Sequence, residues 1–514
     1  MFLLPWLVAA LLWCGVQEAV WKGGWCVIRK KNSGHSHRYL SRLAASPALN
    51  APTYTPLRPP ALPLAVRSPY LNAWSSTVDG NTLNTKSAIF WHGKDLGWVG
   101  LVTVDGVSYE YLSIADRDLS HLNALKKAIP LKVSYDSQYS NFTFQAGPVE
   151  LMASFLSLVL PTDLCRTSIP LSYLTVSVKN TDNQSHDVRI YNDIDTQWIA
   201  ADRNMSLVWE ILQGPSSDSN TSLHTWFLSR KDPQKFHETA DYPDWGNFTF
   251  SSALGQAETM TYESGDPILV RSQYVSNHRL GNFSHMTPMD SENQGPIFAF
   301  SHNLTSVSPK ASKHVTYTLG LVQNPVVQYL TTKGLVPLKP WWTSCYGEDI
   351  ASMIAHHYKD LGESQRLVYE WENQLRSDVK SYFKENPSAS SSKSDTPSSN
   401  QAKTSQRVGA ATLDLNEEAA YYSILALSTR QIMGAYVLTV PPPTKHEKTS
   451  EPLMFFKEIS SNGNVNTVDV TCTPSTSSQY SPLLTRSRSI ATILHLRQPG
   501  ANSISTRTCL SEPG

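Results

Sequence analysis

A β-sandwich region followed by the opening of a helical domain is the architecture this sequence predicts, and three observations predict it. Between Val66 and about Asn324, short apolar–polar alternations recur, each closed by a turn cluster. From Asp349 onward helical spacing replaces them, and β-branched clusters become scarce. Too little helix interleaves the strands for a parallel α/β sheet, so sandwich layers are the expected arrangement.

The start of the chain reads as a leader. Phe2–Val16 is an apolar run too short for a comfortable membrane span, and it fits the core of a secretory signal within residues 1–19. Residues 20–65 are expected to be an unstructured lead-in, basic up to Asn50 and Pro-rich from Ala51. Two readings fit the basic part: a solvated extension, or non-coding sequence retained in a gene model. Seven Asn-x-Ser/Thr sequons, at Asn141, Asn183, Asn204, Asn220, Asn247, Asn282 and Asn303, crowd one region and favour a glycosylated, secreted, extracellular domain.

The β-sandwich is assigned to residues 66–330. Leu96–Leu112 alternates around an Asp105-Gly106 hairpin turn, and Phe142–Phe144 and Val149–Leu160 continue the pattern. Leu174–Val178 and Val188–Ile194 form a further pair, followed by Phe248–Phe250, Ile268–Tyr274, Ile297–Phe300 and Val315–Val322. The helical region is assigned to residues 341–470. Asp349–Phe383 places Ile350, Met353, Ile354, Tyr358 and Leu361, then Leu367, Tyr369, Trp371, Leu375, Val379 and Tyr382, at three- and four-residue steps. Leu413–Val440 is a second helical stretch, ended by Pro441–Pro443. Residues 471–514 are rich in Ser, Thr, Arg and Pro, and either a disordered tail or a shifted reading frame gives that signature.

Composition excludes some functions. Lys+Arg and Asp+Glu both number 43, so nothing predicts nucleic-acid binding, and no membrane partner is expected once the leader is cleaved. No cysteine spacing resembles a zinc site, and no cofactor is implied. Cys165 and Cys345, the two cysteines in the main body, either form one bridge or remain buried thiols. There is no nucleophile elbow, phosphate loop or dinucleotide fingerprint.

Several constellations could carry chemistry. Asp193 and Asp195 fall on one face of a strand, where a solvated strand face is the frequent explanation. His356-His357 point in different directions on a helix, which makes a shared metal unfavourable. Ser68–Trp74 and Phe90–Gly93 are aromatic-dense and are expected in packing rather than in a pocket. Met454–Val470 is the sharper candidate. An apolar run leads to Glu458, a polar turn around Asn462-Gly463 follows, and Asp469 closes it. Two acids flanking a loop of amides, Glu458 and Asp469 around Asn464 and Asn466, could hold a small polar substrate, and a surface hairpin with solvated charges is the plainer reading of the same residues. Arg430, in Ser428–Gln431, is the candidate for gripping a substrate carboxylate by a forked pair of hydrogen bonds.

Seven runs, taken together and in order, resemble the secreted fungal glutaminase A family: SPYLNAW at Ser68–Trp74, GWVGLVTVDGVSYEYL at Gly97–Leu112, FQAGPVEL at Phe144–Leu151, PTDLCRTSIPLSYLTVSV at Pro161–Val178, VRIYNDIDTQW at Val188–Trp198, ALSTRQIMGA at Ala426–Ala435 and FFKEISSNGNVNTVDV at Phe455–Val470. The resemblance covers about residues 62–470. It implies a multidomain β + α protein: an N-terminal β-sandwich followed by the start of an (α/α) toroid of the six-hairpin glycosidase type. It also implies an extracellular amidohydrolase acting on a small molecule, L-glutamine, to give L-glutamate and ammonia. That reaction needs an activated water, donors for the oxyanion and an acid for the leaving ammonia, so under the resemblance Glu458 or Asp469 is the candidate base and Asn464 and Asn466 are candidate donors or orienters. From Thr471 the sequence departs from the family pattern, which suggests a truncated or frame-shifted copy, with an active and an inactive chain both open readings. The rival expectations are a carbohydrate-active glycoside hydrolase and a non-catalytic secreted glycoprotein fragment.

Overall fold

The computed structural model describes residues 19–22, 25–28, 51–113, 119, 125–199, 206–214, 222–284, 295–309, 311–332, 334–385, 416–442 and 451–457. Contacts divide the chain into two units, residues 1–49 and 50–514. In the first, Ala19–Lys22 pairs antiparallel with Trp25–Ile28.

The second unit is built on two large sheets. One has nine strands, ordered Leu207–Gln213, Leu223–Arg230, Asn247–Ala253, Ser312–Val322, Ser172–Asn180, Val149–Leu156, Tyr139–Ala146, Ile129–Tyr135 and Thr53–Thr55. The other has seven, with His186–Asp195 and Ile297–Val307 at its centre. Tyr139–Ala146 shows why these residues make a sandwich. Ser140, Phe142, Phe144 and Ala146 are buried and their neighbours less so, the period-two pattern of a strand with one face inward. Trp98, Phe155, Trp226, Phe248, Phe298 and Phe300 fill the space between the sheets. Trp226 meets Phe298 edge to face at 5.5 Å. Each such ring contributes roughly 1.5–3 kcal/mol by leaving water.

The lead-in expected to be unstructured does not stay so. Besides the hairpin at residues 19–28, Thr53–Thr55 joins the edge of the nine-stranded sheet. Ala61–Ser68 pairs with Leu71–Ser76 in a four-stranded sheet. Leu62, Leu64 and Ala65 are apolar enough to belong to the main core, and Pro63 is tolerated at a register shift of the pairing.

The described residues hold helices α1 (Leu164–Ser168), α2 (Pro267–Asn277), α3 (Trp342–Tyr346), α4 (Ile350–Lys359), α5 (Leu361–Glu385) and α6 (Glu417–Met433). Ile268–Tyr274, expected as a strand, is thus helical. Asp266 caps α2 by accepting from Ile268 and Leu269 N–H, and Pro267 sits where its missing N–H costs nothing. The Cys165–Cys345 disulfide joins α1 to α3. Arg166 forks onto Asp360 with bonds of 2.7 and 2.9 Å, fixing α1 to the α4–α5 junction.

The face of α5 differs from the one periodicity suggested. Ser364, Val368, Glu372, Leu375 and Val379 are buried, while Tyr369 lies outward. Leu375 and Val379 pack with Tyr422, Leu425 and Ala426 of α6. The second helical stretch also stops early, at Met433. Tyr436–Thr439 is a strand paired antiparallel with Leu453–Phe456, because an aromatic and β-branched run finds a partner beyond the reach of local periodicity. None of the helices among the described residues is long and apolar enough to cross a membrane.

Candidate functional site

Where α5 and α6 meet the Ile129–Tyr135/Tyr139–Ala146 hairpin, charged groups are gathered under apolar cover. Glu372 takes a position on the buried stripe of α5, four residues after Val368 and three before Leu375. Its Oε2 accepts from Ser137 Oγ at 2.7 Å and from Ser137 N–H at 3.3 Å. Its Oε1 accepts from the Tyr422 hydroxyl and pairs with Arg376 Nε at 2.6 Å. The Arg376 guanidinium also lies over the Tyr422 ring, 4.2 Å from its centre. Asp136 turns the hairpin: its Oδ1 accepts from Gln138 N–H at 2.8 Å and Tyr139 N–H at 2.6 Å. Burial raises the pKa of both carboxyls. The Tyr139 and Gln138 amides oppose the rise at Asp136, whereas the Asp136 charge adds to it at Glu372.

Arg430, on α6, belongs to this cluster. It is fully buried, and none of its three guanidinium nitrogens has a hydrogen-bond partner among the described residues. Desolvation lowers its pKa to about 9, with the Asp136 charge acting against that fall and the Arg67 charge adding to it. Arg67, buried nearby, shows the contrast. It spends its donors on the carbonyls of Leu158, Thr167 and Ile169. A guanidinium stripped of water and left without acceptors is a strong receptor for a carboxylate.

A second cluster ties the chain just before the predicted loop to the β domain. Lys457 donates its backbone N–H to Ala435 O at 2.7 Å. Its nearly buried ammonium pairs with Glu238 and lies 3.3 Å from the Tyr70 hydroxyl, which itself donates to Glu238. Burial, reinforced by the Glu238 charge, holds the Tyr70 pKa well above its usual value. The Tyr70 ring meets Trp245 edge-on at 5.9 Å. Between the two clusters runs the end of α6. Gly434 O accepts from Asn72 Nδ2 at 3.2 Å, and a Cβ at Gly434 would stand 2.4 Å from Val66 Cγ1. Only glycine permits that approach.

Of the predicted site residues, Arg430 is therefore placed in a buried acid–base cluster rather than on a helix surface. Glu458, Asn464, Asn466 and Asp469 lie outside the described residues, as do Asn204 and Asn220. Asp193 and Asp195 form neither a solvated face nor an acid pair. Asp193 is buried beneath α2, bound by Arg271 Nε and Nη2 at 2.9 Å each and by the Tyr191 hydroxyl at 2.5 Å. Asp195 caps the turn at Thr196–Trp198 by accepting from Gln197 N–H. His357 is buried and stacked on Tyr173 at 4.0 Å, and burial takes its pKa down to about 3. The aromatic run at Ser68–Trp74 serves packing, as expected, with Leu71 and Ala73 in the main core. Sequence reasoning missed Asp136 and Glu372. Glu372 left a signal, a charged residue in step with the buried stripe of its helix; Asp136 left none beyond an ordinary turn.

Three family profiles match parts of this chain. Residues 418–481 match the glutaminase A six helical-hairpin domain, residues 139–378 the domain of unknown function DUF5127, and residues 40–123 the domain of unknown function DUF4964. A protein named "Probable glutaminase" from Arthroderma benhamiae is 31% identical over 436 residues, 80% of this chain and 44% of that protein. "Glutaminase A" from Aspergillus oryzae is 31% identical over 426 residues, 82% of this chain and 53% of that protein. The chain thus spans about half the length of the curated relatives it matches. Among solved structures, the heparan sulfate lyase HepC from Pedobacter heparinus aligns with a TM-score of 0.20 and 8% identity over 41% of this chain and 24% of that one.

Proposed function

Taking as premise that this chain belongs to the glutaminase A family, we propose that it is a secreted amidohydrolase converting L-glutamine and water to L-glutamate and ammonia. The observation that carries this reading furthest is Arg430. It sits inside the stretch matching the six helical-hairpin domain, desolvated and without an acceptor among the described residues. Glutamine carries an α-carboxylate of the charge and shape that a guanidinium fork grips.

The reaction assigns roles to the acids and amides of the predicted loop. Glu458 or Asp469 takes a proton from the attacking water and later returns one to the departing ammonia. Asn464 and Asn466 donate to the oxygen that becomes anionic as the carbonyl is attacked. Lys457, locked to Glu238 and Tyr70, anchors the segment in which Glu458 is the next residue. It acts as a positioning residue, holding the start of that segment against the β domain.

Steady-state assays of ammonia release test the assignment. Glu458→Gln and Asp469→Asn each replace the carboxylate by an amide of similar shape, so a base role predicts a fall in kcat of about 10²–10⁴-fold for whichever residue holds it. Near-normal turnover in both variants would remove the pair from the mechanism.

A further inference from the structure

The outer face of the seven-stranded sheet is only partly covered. Helix α2 lies on it, with Arg271 reaching Asp193 and the Tyr274 ring 4.6 Å from that of Tyr191. The helix stops at His278, whose φ of 56° is left-handed. Beyond the stop lies a cavity of about 420 Å³. Its floor includes Arg189, Ser301 and Asn303, its side Thr259 and Thr261, and Asn282 stands on the segment that closes it. A well-formed cavity is the default place to seek a substrate. This one has a different signature, because two of its walls carry glycosylation sequons.

Asn303 is paired in register between Arg189 and Thr259. Its Oδ1 accepts from Thr305 N–H at 3.0 Å, and Asn282 Oδ1 accepts from Tyr262 N–H at 3.1 Å. Each amide is thus held through its oxygen, while its nitrogen, the atom to which a glycan attaches, has no hydrogen bond among the described residues. On two residues that line it, Arg189 Nε and His278 Nδ1 are buried with no hydrogen-bond partner among the described residues. The wall has hydroxyls, amides, two guanidiniums and one imidazole but no Trp, Tyr or Phe ring, a weak surface for a free saccharide. For a tethered one it suffices, since attachment replaces affinity with a high local concentration. A second cavity of about 300 Å³, on the outer face of the nine-stranded sheet, is likewise lined by a sequon residue, Asn141.

We propose that the cavity beyond α2 is the seat of the chain's own N-linked oligosaccharide, attached at Asn303, with its first amino sugars lying against Arg189, Thr259 and Ser301. A glycan at Asn282 leaves from the rim. Attachment takes a lipid pyrophosphate-linked oligosaccharide as donor. Asn303 Nδ2 bonds to the anomeric carbon, the carbon–oxygen bond to phosphate breaks, the pyrophosphate leaves with the electron pair, and the amide proton passes to the transferase. The proposal rests on the secretory part of the functional reading and is independent of the reaction catalysed.

The test uses the full chain made in a secretory eukaryotic host, with occupancy mapped by mass spectrometry and native-state glycan release followed site by site. Asn183, on an exposed turn, supplies the reference. A seated sugar must leave its pocket before an endoglycosidase reaches it, so release at Asn303 is expected to be at least about tenfold slower than at Asn183. Thr259→Met, which crowds the cavity from an exposed position without adding a ring for a sugar to stack on, should make the two rates equal while leaving occupancy intact. Occupancy of Asn183 without Asn303, or equal release rates in the unsubstituted chain, overturns the seat and leaves the secretory reading standing. No glycan at any sequon overturns both.

Discussion

Burial sets the chemistry of Asp136, Glu372 and Arg430, and the sign of each effect follows from it. Both carboxyls have folded pKa values raised above their unfolded ones, so the native state holds the extra protons. Stability therefore falls as pH rises from the unfolded value of about 4 to the folded pKa, and the loss persists above it. Glu372→Gln should flatten that decline, measured as denaturant unfolding between pH 4 and pH 7. Arg430 gives a sharper prediction because two terms point in opposite directions. Replacing a buried charge that lacks hydrogen bonds by an apolar residue of similar length is neutral or stabilising by up to about 4 kcal/mol. Losing a charge-assisted grip on a substrate carboxylate costs about 1.5–3 kcal/mol of binding, or roughly 10–150-fold in KM. Arg430→Met is expected to keep or raise the unfolding midpoint while raising KM for glutamine. A lowered midpoint with KM unchanged would make Arg430 a structural partner of Asp136. The sequence marked Arg430 as a carboxylate receptor because of its residue type. Its burial came from α6 meeting a hairpin almost 300 residues earlier, which no local pattern records.

Elements whose partners are near in sequence were legible, and those whose partners are distant were not. The alternation at Phe142–Phe144 marked a strand, which runs Tyr139–Ala146 with both rings inward, and Val149–Leu160 marked its partner, which ends at Leu156. The helical spacing after Asp349 was equally clear, yet its buried side included Glu372 and left Tyr369 outside. Asp193 looked solvated until α2 delivered Arg271 from 78 positions away. The end of α6 was read too late because Tyr436–Thr439 pairs with Leu453–Phe456 across an intervening segment. The close contact at Gly434 fixes where that helix stops against the four-stranded sheet. Gly434→Ala should destabilise the protein by about 1–3 kcal/mol, since the added methyl must displace Val66 or Asn72. Thermal unfolding measures it, and an unchanged midpoint would show that the seam between helix and sheet yields freely.

At the scale of the whole molecule, two sheets form a rigid block against which the helices and the segment leading to Glu458 are fixed at separate points. The Cys165–Cys345 disulfide and the Arg166–Asp360 fork hold the first helices. Asn72 holds the end of α6, and Tyr70 and Glu238 hold Lys457. The β-plus-helical layout was legible from the change in periodicity, and the family from seven runs in order. The acid cluster at the seam was not, because its members come from three elements and share no motif. The cavities on the outer sheet faces carry sequons, so the search for substrate chemistry turns to the seam near Arg430 and Lys457. The most direct test of the central claim is ammonia release by the purified 514-residue chain, with L-glutamine and oligosaccharides offered in parallel. The account predicts ammonia from L-glutamine and no new reducing ends; reducing ends without ammonia, or neither product, would contradict it.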